Sequence, residues 1–200
     1  MIRALPPVLE GRRVFLRALG SADFRQWQEV RRRCHDWLTK WEPAPSPGAP
    51  DVVDDPRAFA ARCGARERER QLGTGYGFGI FVDGRFAGEI NVSNVVRGAT
   101  QSCTVGYWVD EAQAGHGYVP EALVLILRFA FEEVQLHRVE IGIIPRNAAS
   151  RRVVEKLAIR EEGLAQRFLQ INNRWEDHIR YAMTAEEWAD RADELVKEWL

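Results

Sequence analysis

Apolar and polar residues alternate with a period of two in several short segments of the chain. The clearest case is Val139, Ile141 and Ile143, which are separated by non-aliphatic residues, and this period is typical of a β-strand. The same criterion, together with an enrichment in valine, isoleucine and aromatic residues, predicts further strands. They cover residues 14–19, 77–82, 86–96, 102–110, 167–171 and 175–183. Asp83-Gly84 and Asn172-Asn173 lie between neighbouring segments, so we expect each to form a hairpin turn.

Other segments repeat their apolar residues every three or four positions, which is the helical period. Ser21 is followed at this spacing by Phe24, Trp27, Val30 and Cys34, which predicts a capped helix that continues to about residue 41. Further helices are predicted at residues 54–70, 122–131 and 148–157, and after the capping-box sequence at 184–187.

Two other segments of the N-terminal half have distinctive compositions. The prolines of residues 43–50 exclude a helix or a central strand, so we expect a loop there. Three consecutive arginines at 31–33 are interpreted as a solvated helix face, with an acidic substrate as the alternative partner.

The predicted helix at 122–131 determines the fold class. Only Arg128 interrupts its apolar run, so we expect neighbours to cover it on nearly all sides. The helix joins the strands at 102–110 and 139–143, and such a crossover makes two strands parallel. The remaining strands follow one another through short turns. We therefore predict one α/β (α+β) domain over residues 1–200, with a mixed, mostly antiparallel central sheet and flanking helices.

Composition and charge exclude several classes of protein. The 200 residues carry a formal net charge of −1, which argues against direct nucleic-acid binding. No apolar run reaches the roughly 18 residues needed to span a membrane, and the first residues lack a signal-peptide core. The three cysteines are widely spaced, which predicts neither disulfides nor a zinc site. We therefore expect a cytoplasmic protein without a metal.

A glycine-bearing loop, AGHGYV at residues 114–119, precedes the covered helix. Backbone N–H groups at a helix start have no intrahelical acceptor and readily bind anions. Gly115 and Gly117 would let a phosphate approach the backbone, and Pro120 is tolerated in the first helical turn. The loop is therefore a candidate diphosphate site, although an ordinary tight turn explains the two glycines equally well. It has neither the dinucleotide-fold spacing nor the P-loop ending.

A second motif follows the next predicted strand, and its sequence is Pro145-Arg146-Asn147-Ala148-Ala149-Ser150. Together with Gly117 it resembles the acyl-CoA-binding core of the GCN5-related N-acetyltransferases (GNAT). The similarity is greatest to their ribosomal-protein-alanine N-acetyltransferase (RimJ/RimL-type) branch. The family pattern is Gln/Arg-x-x-Gly-x-Gly/Ala, followed downstream by Pro-x-Asn-x-x-Ser. The resemblance covers about residues 12–183.

The chain departs from the family pattern at three places. Ala114 stands where Gln or Arg is usual, Val119 where Gly or Ala is usual, and Ala158-Ile159 where the family often has Gly-Phe. The resemblance nevertheless implies the GNAT-like fold, in which the two parallel strands splay apart at their ends. The pantetheine arm of acetyl-CoA would lie in that gap.

The resemblance also assigns contacts to acetyl-CoA, the expected cosubstrate. Backbone groups of Tyr107, Trp108 and Val109 would pair with the pantetheine arm. Asn147 would hydrogen-bond the same arm, and Ser150 would lie near the thioester sulfur. The diphosphate would bind at Ala114, Gly115, His116, Gly117, Tyr118 and Val119. On local sequence alone, Asn147 is also a suitable helix N-cap and Ser150 an ordinary first-turn serine.

The implied reaction transfers an acetyl group from acetyl-CoA to a primary amine. A backbone N–H near Val109 is expected to stabilise the oxyanion that develops, and Ser150 is the candidate general acid for the departing thiolate. Glu89 is the candidate general base, acting through water, although an outward-facing strand glutamate is at least as good an interpretation. His116 is expected to be a phosphate neighbour or simply exposed. A glutamate found in some relatives aligns with Leu169, so its role does not transfer.

The pKa of the amine narrows the set of possible acceptors. An α-amine with a pKa of 7.7–8.0 is roughly 10–20% neutral at pH 7, whereas a lysine amine is only about 0.04% neutral. A site without an obvious strong base therefore favours the N-terminal α-amine of a protein, of the ribosomal type. The alternatives are a small-molecule amine and a non-catalytic acyl-CoA-binding module. We expect the segment near Trp41 and the hairpin near Asn172 to wall the acceptor side; the sequence leaves a homodimer open.

Overall fold

The computed structural model describes residues 7–46 and 48–200. Residues 1–6 of the predicted domain and Pro47 of the predicted loop lie outside this part. The strands are β1 (Leu9–Glu10), β2 (Val14–Arg17), β3 (Tyr76–Val82), β4 (Arg85–Val96), β5 (Ser102–Val109), β6 (Arg138–Ile143), β7 (Arg160–Ile171) and β8 (Arg174–Thr184). The α-helices are α1 (Phe24–Arg33), α2 (His35–Leu38), α3 (Pro56–Leu72), α4 (Tyr118–Arg128), α5 (Ala148–Lys156) and α6 (Ala185–Trp199).

All of these strands belong to one sheet, in the order β1-β2-β3-β4-β5-β6-β8-β7. The pair β5–β6 is parallel and the other pairs are antiparallel. The predicted fold class, a mixed and mostly antiparallel sheet with one parallel pair, is confirmed. Both predicted hairpins also form, because β3 pairs with β4 and β7 with β8.

The parallel pair separates along its length. Residues 102–104 of β5 lie opposite residues 138–140 of β6. β5 then continues to Val109 and β6 to Ile143, and these later residues, all described, do not pair with each other. The two strands thus leave a gap in the sheet between their C-terminal halves, as the splayed arrangement requires.

Helices cover the sheet on both faces. On one face, every residue from 119 to 127 of α4 is buried, which confirms the predicted covered helix, and α5 and α6 pack beside it. On the other face, α1 and α3 cover β3 and β4 through a smaller core that contains Trp27, Phe59 and Phe81. The gap between β5 and β6 therefore passes through the middle of a layered domain.

Several boundaries differ from the predicted ones. The first predicted strand ends at Arg17 rather than at residue 19, and β7 begins at Arg160 rather than at 167. β7 is the outermost strand and is exposed along almost all of its length, so no alternation of buried residues marks it in the sequence. The helix predicted over residues 21–41 is interrupted at Cys34, whose thiol hydrogen-bonds to Asp110 at 3.2 Å.

The three arginines of α1 are not simply a solvated face. Arg31 forms a two-pronged ion pair with Glu42 and is largely buried. Arg33 pairs with Asp110, which is buried at the end of β5. Arg32 and Arg33 are both exposed, and Arg32 pairs with Asp54. The solvated interpretation thus holds for these two, although Arg33, like the largely buried Arg31, also connects α1 to another part of the fold.

Gly88 allows β4 to approach β5 closely at the edge of the gap. The register between β3 and β4 shifts at Ile80 and Phe81, so β4 carries an extra residue there, as in a β-bulge. A Cβ atom on Gly88 would collide with the carbonyl oxygen of Trp108 and lie 2.9 Å from the Cα of Val109. Only glycine fits, because the obstructing atoms belong to the backbone.

The first prediction follows from this contact. Gly88→Ala should lower the free energy of unfolding by about 1–3 kcal/mol, the usual range for overpacking. Gly106→Ala, on the facing strand, is the matched control, because a Cβ there meets no atom within 4 Å. Urea denaturation of both variants and the wild type gives the comparison. Equal stabilities for the two variants would show that β4 can move away without penalty.

Candidate active site

The β5 backbone presents hydrogen-bonding groups to the gap. The Asp110 N–H donates to the Ala87 carbonyl at 2.7 Å, and the adjacent registered pair is Gly88 and Val109. Residues in an antiparallel ladder alternate between pairs that exchange hydrogen bonds and pairs that do not. Val109 therefore directs its N–H and C=O away from β4 and towards the gap, and so does Tyr107, two residues earlier.

The same alternation distinguishes the three predicted backbone contacts. Trp108 is paired with Glu89 at a position where β4 and β5 exchange hydrogen bonds, so its backbone faces β4. Of the predicted residues, Tyr107 and Val109 are thus directed to the gap and Trp108 is not. The Trp108 side chain instead packs edge-on against Phe86, with ring centroids 5.7 Å apart.

Trp37 fixes one of these groups from the α1 side of the sheet. Its indole N–H donates to the Val109 carbonyl at 3.2 Å. The carbonyl lone pair would repel a developing oxyanion, and the indole occupies part of its acceptor capacity. The neighbouring N–H groups of Val109 and Tyr107 can then act as donors in the gap. Sequence reasoning placed Trp37 only on a helix face, because nothing local connects it to β5.

The predicted diphosphate loop lies at the N-terminus of α4. Gly115 and Gly117 have φ values of 84° and 86°, in the left-handed region that favours glycine, and Gly117 is the N-cap. The first backbone hydrogen bond of the helix runs from the Glu121 N–H to the Gly117 carbonyl. The N–H groups of Gly117, Tyr118 and Val119 precede it, and no described backbone group accepts from them.

The side chains of this loop contribute little polar chemistry. The His116 ring stacks on Tyr118 with centroids 5.7 Å apart, and His116 is exposed. Val119 is buried, and Ala114 has no polar side chain. Any anion bound here must therefore be held chiefly by backbone N–H groups and by the N-terminal end of the helix dipole.

A buried carboxylate supports this loop. Glu121, in the first turn of α4, is fully buried, and its carboxylate accepts from the backbone N–H groups of Arg13 and Val14 at 2.6 and 3.1 Å. The Arg13 guanidinium adds a contact of 2.8 Å. These two residues did not emerge from the sequence, although a lone glutamate in the apolar run of α4 was a usable signal.

Asn147 and Ser150 lie at the start of α5, beside the gap. The Asn147 side chain caps the helix by accepting from the Ser150 N–H at 3.2 Å, which is the local alternative foreseen for it. The Ser150 hydroxyl donates to the Tyr107 hydroxyl at 3.1 Å, and Tyr107 donates to the Ser150 carbonyl at 3.2 Å. Burial raises the pKa of Tyr107 above its ordinary value, which keeps this hydroxyl protonated.

Glu89 does not face outwards, so that interpretation of it is wrong. It is 2% exposed and accepts from the Trp27 indole and the Arg62 guanidinium, each at 2.5 Å. Its ladder partner is Trp108, whose side chain lies on the opposite face of β5 from that of Tyr107. Glu89 and Ser150 therefore lie on opposite faces of the sheet, with the gap between them.

A further polar cluster secures the end of β5. The Asp110 carboxylate accepts from the Arg33 guanidinium, from the Cys34 thiol at 3.2 Å and from the Ala112 N–H at 3.2 Å. Burial opposes the charged form, but the hydrogen bonds from Arg33 and Cys34 outweigh it and lower the pKa of Asp110. The cluster connects α1 to the segment between β5 and the loop at residues 114–119.

The described part of the chain contains neither a candidate metal site nor a candidate membrane-spanning helix. Over residues 7–46 and 48–200, the acidic, histidine and cysteine side chains form no group of three that could hold a metal ion. None of the helices in the same ranges has the length and apolar character needed to cross a membrane.

Comparison with known proteins gives the family. The model of the acetyltransferase (GNAT) domain matches residues 13–160. The chain belongs to the GNAT acetyltransferase family. This match includes the gap, the loop at α4 and the start of α5, and it confirms the family expected from Gly117 and the motif at 145–150.

Individual relatives carry related names. The chain is 44% identical over 105 residues to "Probable N-acetyltransferase YjcK" of Bacillus subtilis (strain 168), which covers 52% of this chain and 58% of that protein. It is 28% identical over 182 residues to "[Ribosomal protein uS5]-alanine N-acetyltransferase" of Escherichia coli (strain K12), which covers 88% of this chain and 90% of that protein.

A solved structure extends the similarity to nearly the whole chain. Mycobacterium smegmatis RimJ in complex with CoA-disulfide superposes with a TM-score of 0.88 at 32% identity, covering 96% of this chain and 94% of that one. The GNAT-like fold predicted from the resemblance is therefore confirmed, and a relative of this fold binds a CoA derivative.

The second prediction concerns Asp110 and pH. Because folding lowers the pKa of this carboxyl, the stability it contributes is complete above the ordinary value of about 3.9. That stability is lost as the pH falls through the lower folded value. Asp110→Asn should be about 1–3 kcal/mol less stable than the wild type at pH 7, and the difference should shrink in acid.

Urea denaturation between pH 3 and 8 measures this difference, and Asp36→Asn, at an exposed position of α2, is the control. A stability difference between wild type and Asp110→Asn that stays constant as the pH falls would contradict the assignment of the charge to Asp110.

Proposed function

We propose that this protein transfers the acetyl group of acetyl-CoA to the N-terminal α-amine of a protein, of the ribosomal type. The observation that carries the proposal is the meeting of three features at one place. These are the gap between β5 and β6, the free N–H groups at the start of α4, and the Ser150–Tyr107 hydroxyl pair at the start of α5. Their chemistry suits the pantetheine arm, the diphosphate and the thioester of an acyl-CoA, respectively.

The cosubstrate would run from the α4 loop into the gap. Its diphosphate would accept from N–H groups of the loop 114–119, and its pantetheine amides would pair with the backbone of Tyr107 and Val109. Asn147 already caps α5 through its side-chain oxygen, so its amide N–H₂ remains the group to reach the pantetheine arm. The acetyl thioester then lies next to Ser150.

The reaction requires a neutral amine, an oxyanion donor and a proton for the leaving thiolate. The amine nitrogen attacks the thioester carbonyl, the C–N bond forms, and the developing oxyanion accepts from the N–H of Tyr107 or Val109. The C–S bond then breaks, the Ser150 O–H turns from Tyr107 to the sulfur and protonates the thiolate, and the Ser150 oxygen recovers a proton from water. The acetylated nitrogen releases its proton to water on the Glu89 side.

Glu89 has a restricted role in this scheme. Both of its oxygens are engaged by Trp27 and Arg62, so it does not contact the amine directly. It would attract a proton only through water and would help to orient the acceptor electrostatically. The scheme therefore relies on an acceptor with a substantial neutral fraction at pH 7, and an α-amine meets this requirement far better than a lysine side chain.

The surface next to the gap supports a protein acceptor. The β7–β8 hairpin exposes Trp175, which is 63% exposed. The Asn172 N–H donates to the Glu42 carbonyl at 3.1 Å, which brings this hairpin against the segment that follows Trp41. An exposed tryptophan offers a large apolar surface and a polar N–H to a protein partner. The relatives named above as ribosomal-protein and RimJ enzymes point to the same acceptor class.

The alternatives have less support. A small polyamine would favour an acidic pocket, whereas the cavity of about 470 Å³ beside Glu89 is lined by arginines as well as acids, including Arg17, Arg62 and Asp23. A non-catalytic module would not need the Ser150–Tyr107 pair. We further propose a cytoplasmic location, where newly made ribosomal proteins present their N-termini.

The third prediction tests the acceptor. After incubation with acetyl-CoA, peptides that copy ribosomal-protein N-termini should gain one acetyl group, about 42 Da, at the α-amine. We expect this because that amine is partly neutral near pH 7. Tandem mass spectrometry locates the group. The matched control is the same peptide with a blocked N-terminus and a free internal lysine. Labelling of the lysine alone, or of small amines alone, would contradict the proposed acceptor.

The fourth prediction tests the proton donor. Ser150→Ala should lower kcat by about a hundredfold or more, the usual effect of losing a general acid, while the Kd for CoA changes little. Tyr107→Phe should have a smaller effect, because it removes only the support behind Ser150. Release of free thiol gives the rates and calorimetry gives Kd. Ser93→Ala, on β4, is the control, and an unchanged kcat in Ser150→Ala would exclude this role.

A further inference from the structure

We propose that Arg13 is a positioning residue for the diphosphate of acetyl-CoA, acting through the peptide groups of the α4 loop. The inference rests on the proposed function, because it concerns how the same cosubstrate is held. It goes beyond that function by assigning the loop's geometry to a residue about a hundred positions earlier in the chain.

Arg13 holds the loop by two carbonyl oxygens. Its Nη1 donates to the His116 carbonyl at 2.9 Å, and its Nη2 lies 3.4 Å from the Gly117 carbonyl. The guanidinium also lies over the Tyr118 ring, 5.3 Å from its centroid. One planar, forked cation thus contacts three consecutive residues of the loop.

These contacts determine where the loop N–H groups point. In a trans peptide the C=O and the N–H of one peptide unit point in opposite directions. The His116 carbonyl shares its peptide unit with the Gly117 N–H, and the Gly117 carbonyl shares its unit with the Tyr118 N–H. Because Arg13 binds both carbonyls from one side, the two N–H groups are directed to the other side, where an anion can accept from them.

Glu121 in turn fixes Arg13. Its carboxylate is fully buried and accepts from the Arg13 Nε at 2.8 Å and from the Arg13 backbone N–H at 2.6 Å. The guanidinium is therefore tied at its root while its two terminal nitrogens reach the loop. Lysine cannot reproduce this arrangement, because it offers a point charge rather than a fork.

The arrangement explains how this loop can function without a polar residue at its start. Ala114 has no side chain that could bind a phosphate or brace the loop. Arg13, immediately before β2, supplies the bracing, and the phosphate is left to the backbone. Gly117 is favoured there because its φ of 86° lies in the left-handed region.

The fifth prediction compares Arg13→Lys with Arg12→Lys. Arg12 is the matched control, because within residues 7–46 and 48–200 its guanidinium hydrogen-bonds to the carbonyls of Lys197 and Glu198, at the end of α6, and not to the α4 loop. Arg13→Lys keeps a cation for Glu121 but loses the fork, so the Kd for CoA should rise about tenfold, as expected for the loss of charge-assisted contacts. Arg12→Lys should bind CoA like the wild type.

The choice of ligand separates positioning from a general structural effect. Dephospho-CoA keeps the diphosphate and should weaken as CoA does, whereas S-acetylpantetheine lacks it and should keep its kcat/KM as an acetyl donor. With acetyl-CoA, KM should rise and kcat at saturation should stay unchanged. Wild-type affinity for CoA in Arg13→Lys, or an equal loss for all three ligands, would overturn the inference.

The comparison of CoA affinities can still be interpreted if Arg13→Lys is less stable. Turnover of S-acetylpantetheine in the same preparation shows whether the gap is intact. Failure of the proposed function is distinguishable from failure of this inference. It would appear as a wild-type protein that binds no CoA, or that transfers no acetyl group, before any variant is compared.

Discussion

The structure depends on an interruption of hydrogen bonding between two parallel strands. β5 and β6 pair over residues 102–104 and 138–140 and then separate, so the backbone groups of Tyr107 and Val109 have no partner strand. Buried N–H and C=O groups need partners, and a ligand with amides along an extended arm can supply them. The gap is thus suited to bind the proposed cosubstrate because the sheet is left incomplete there.

Buried carboxylates hold the surroundings of the gap in place. Glu121 secures the loop at α4, and Asp110 secures the end of β5. Glu89 holds α1 and α3 against the sheet, and all three carboxylates are at most 2% exposed. Each takes donors from a segment far away in the sequence, with separations of 108, 77 and 62 residues. A buried charge is tolerated only when it is paired, so each carboxylate also fixes the element that supplies its partner.

These separations explain which features of the structure could be predicted from the sequence and which could not. Strand alternation, the buried run of α4 and the motif at residues 145–150 are local patterns, and they were sufficient for the fold class and for the gap's position. The partners of Glu89 and Asp110 are set by the packing of α1 on the sheet, which no local pattern encodes. The predicted range of the outer strand β7 was too short for a related reason. A strand that is exposed on both faces shows no alternation of buried and exposed residues.

The two candidate polar residues beside the gap lie on opposite faces of the sheet. Ser150 lies on the α5 side and Glu89 on the α1 side, so in the proposed reaction the acyl donor and the amine would approach one carbonyl from opposite directions. Neither would need to leave before the other arrives, and no side chain would have to carry the acetyl group in between. The gap would therefore favour a ternary complex with direct transfer.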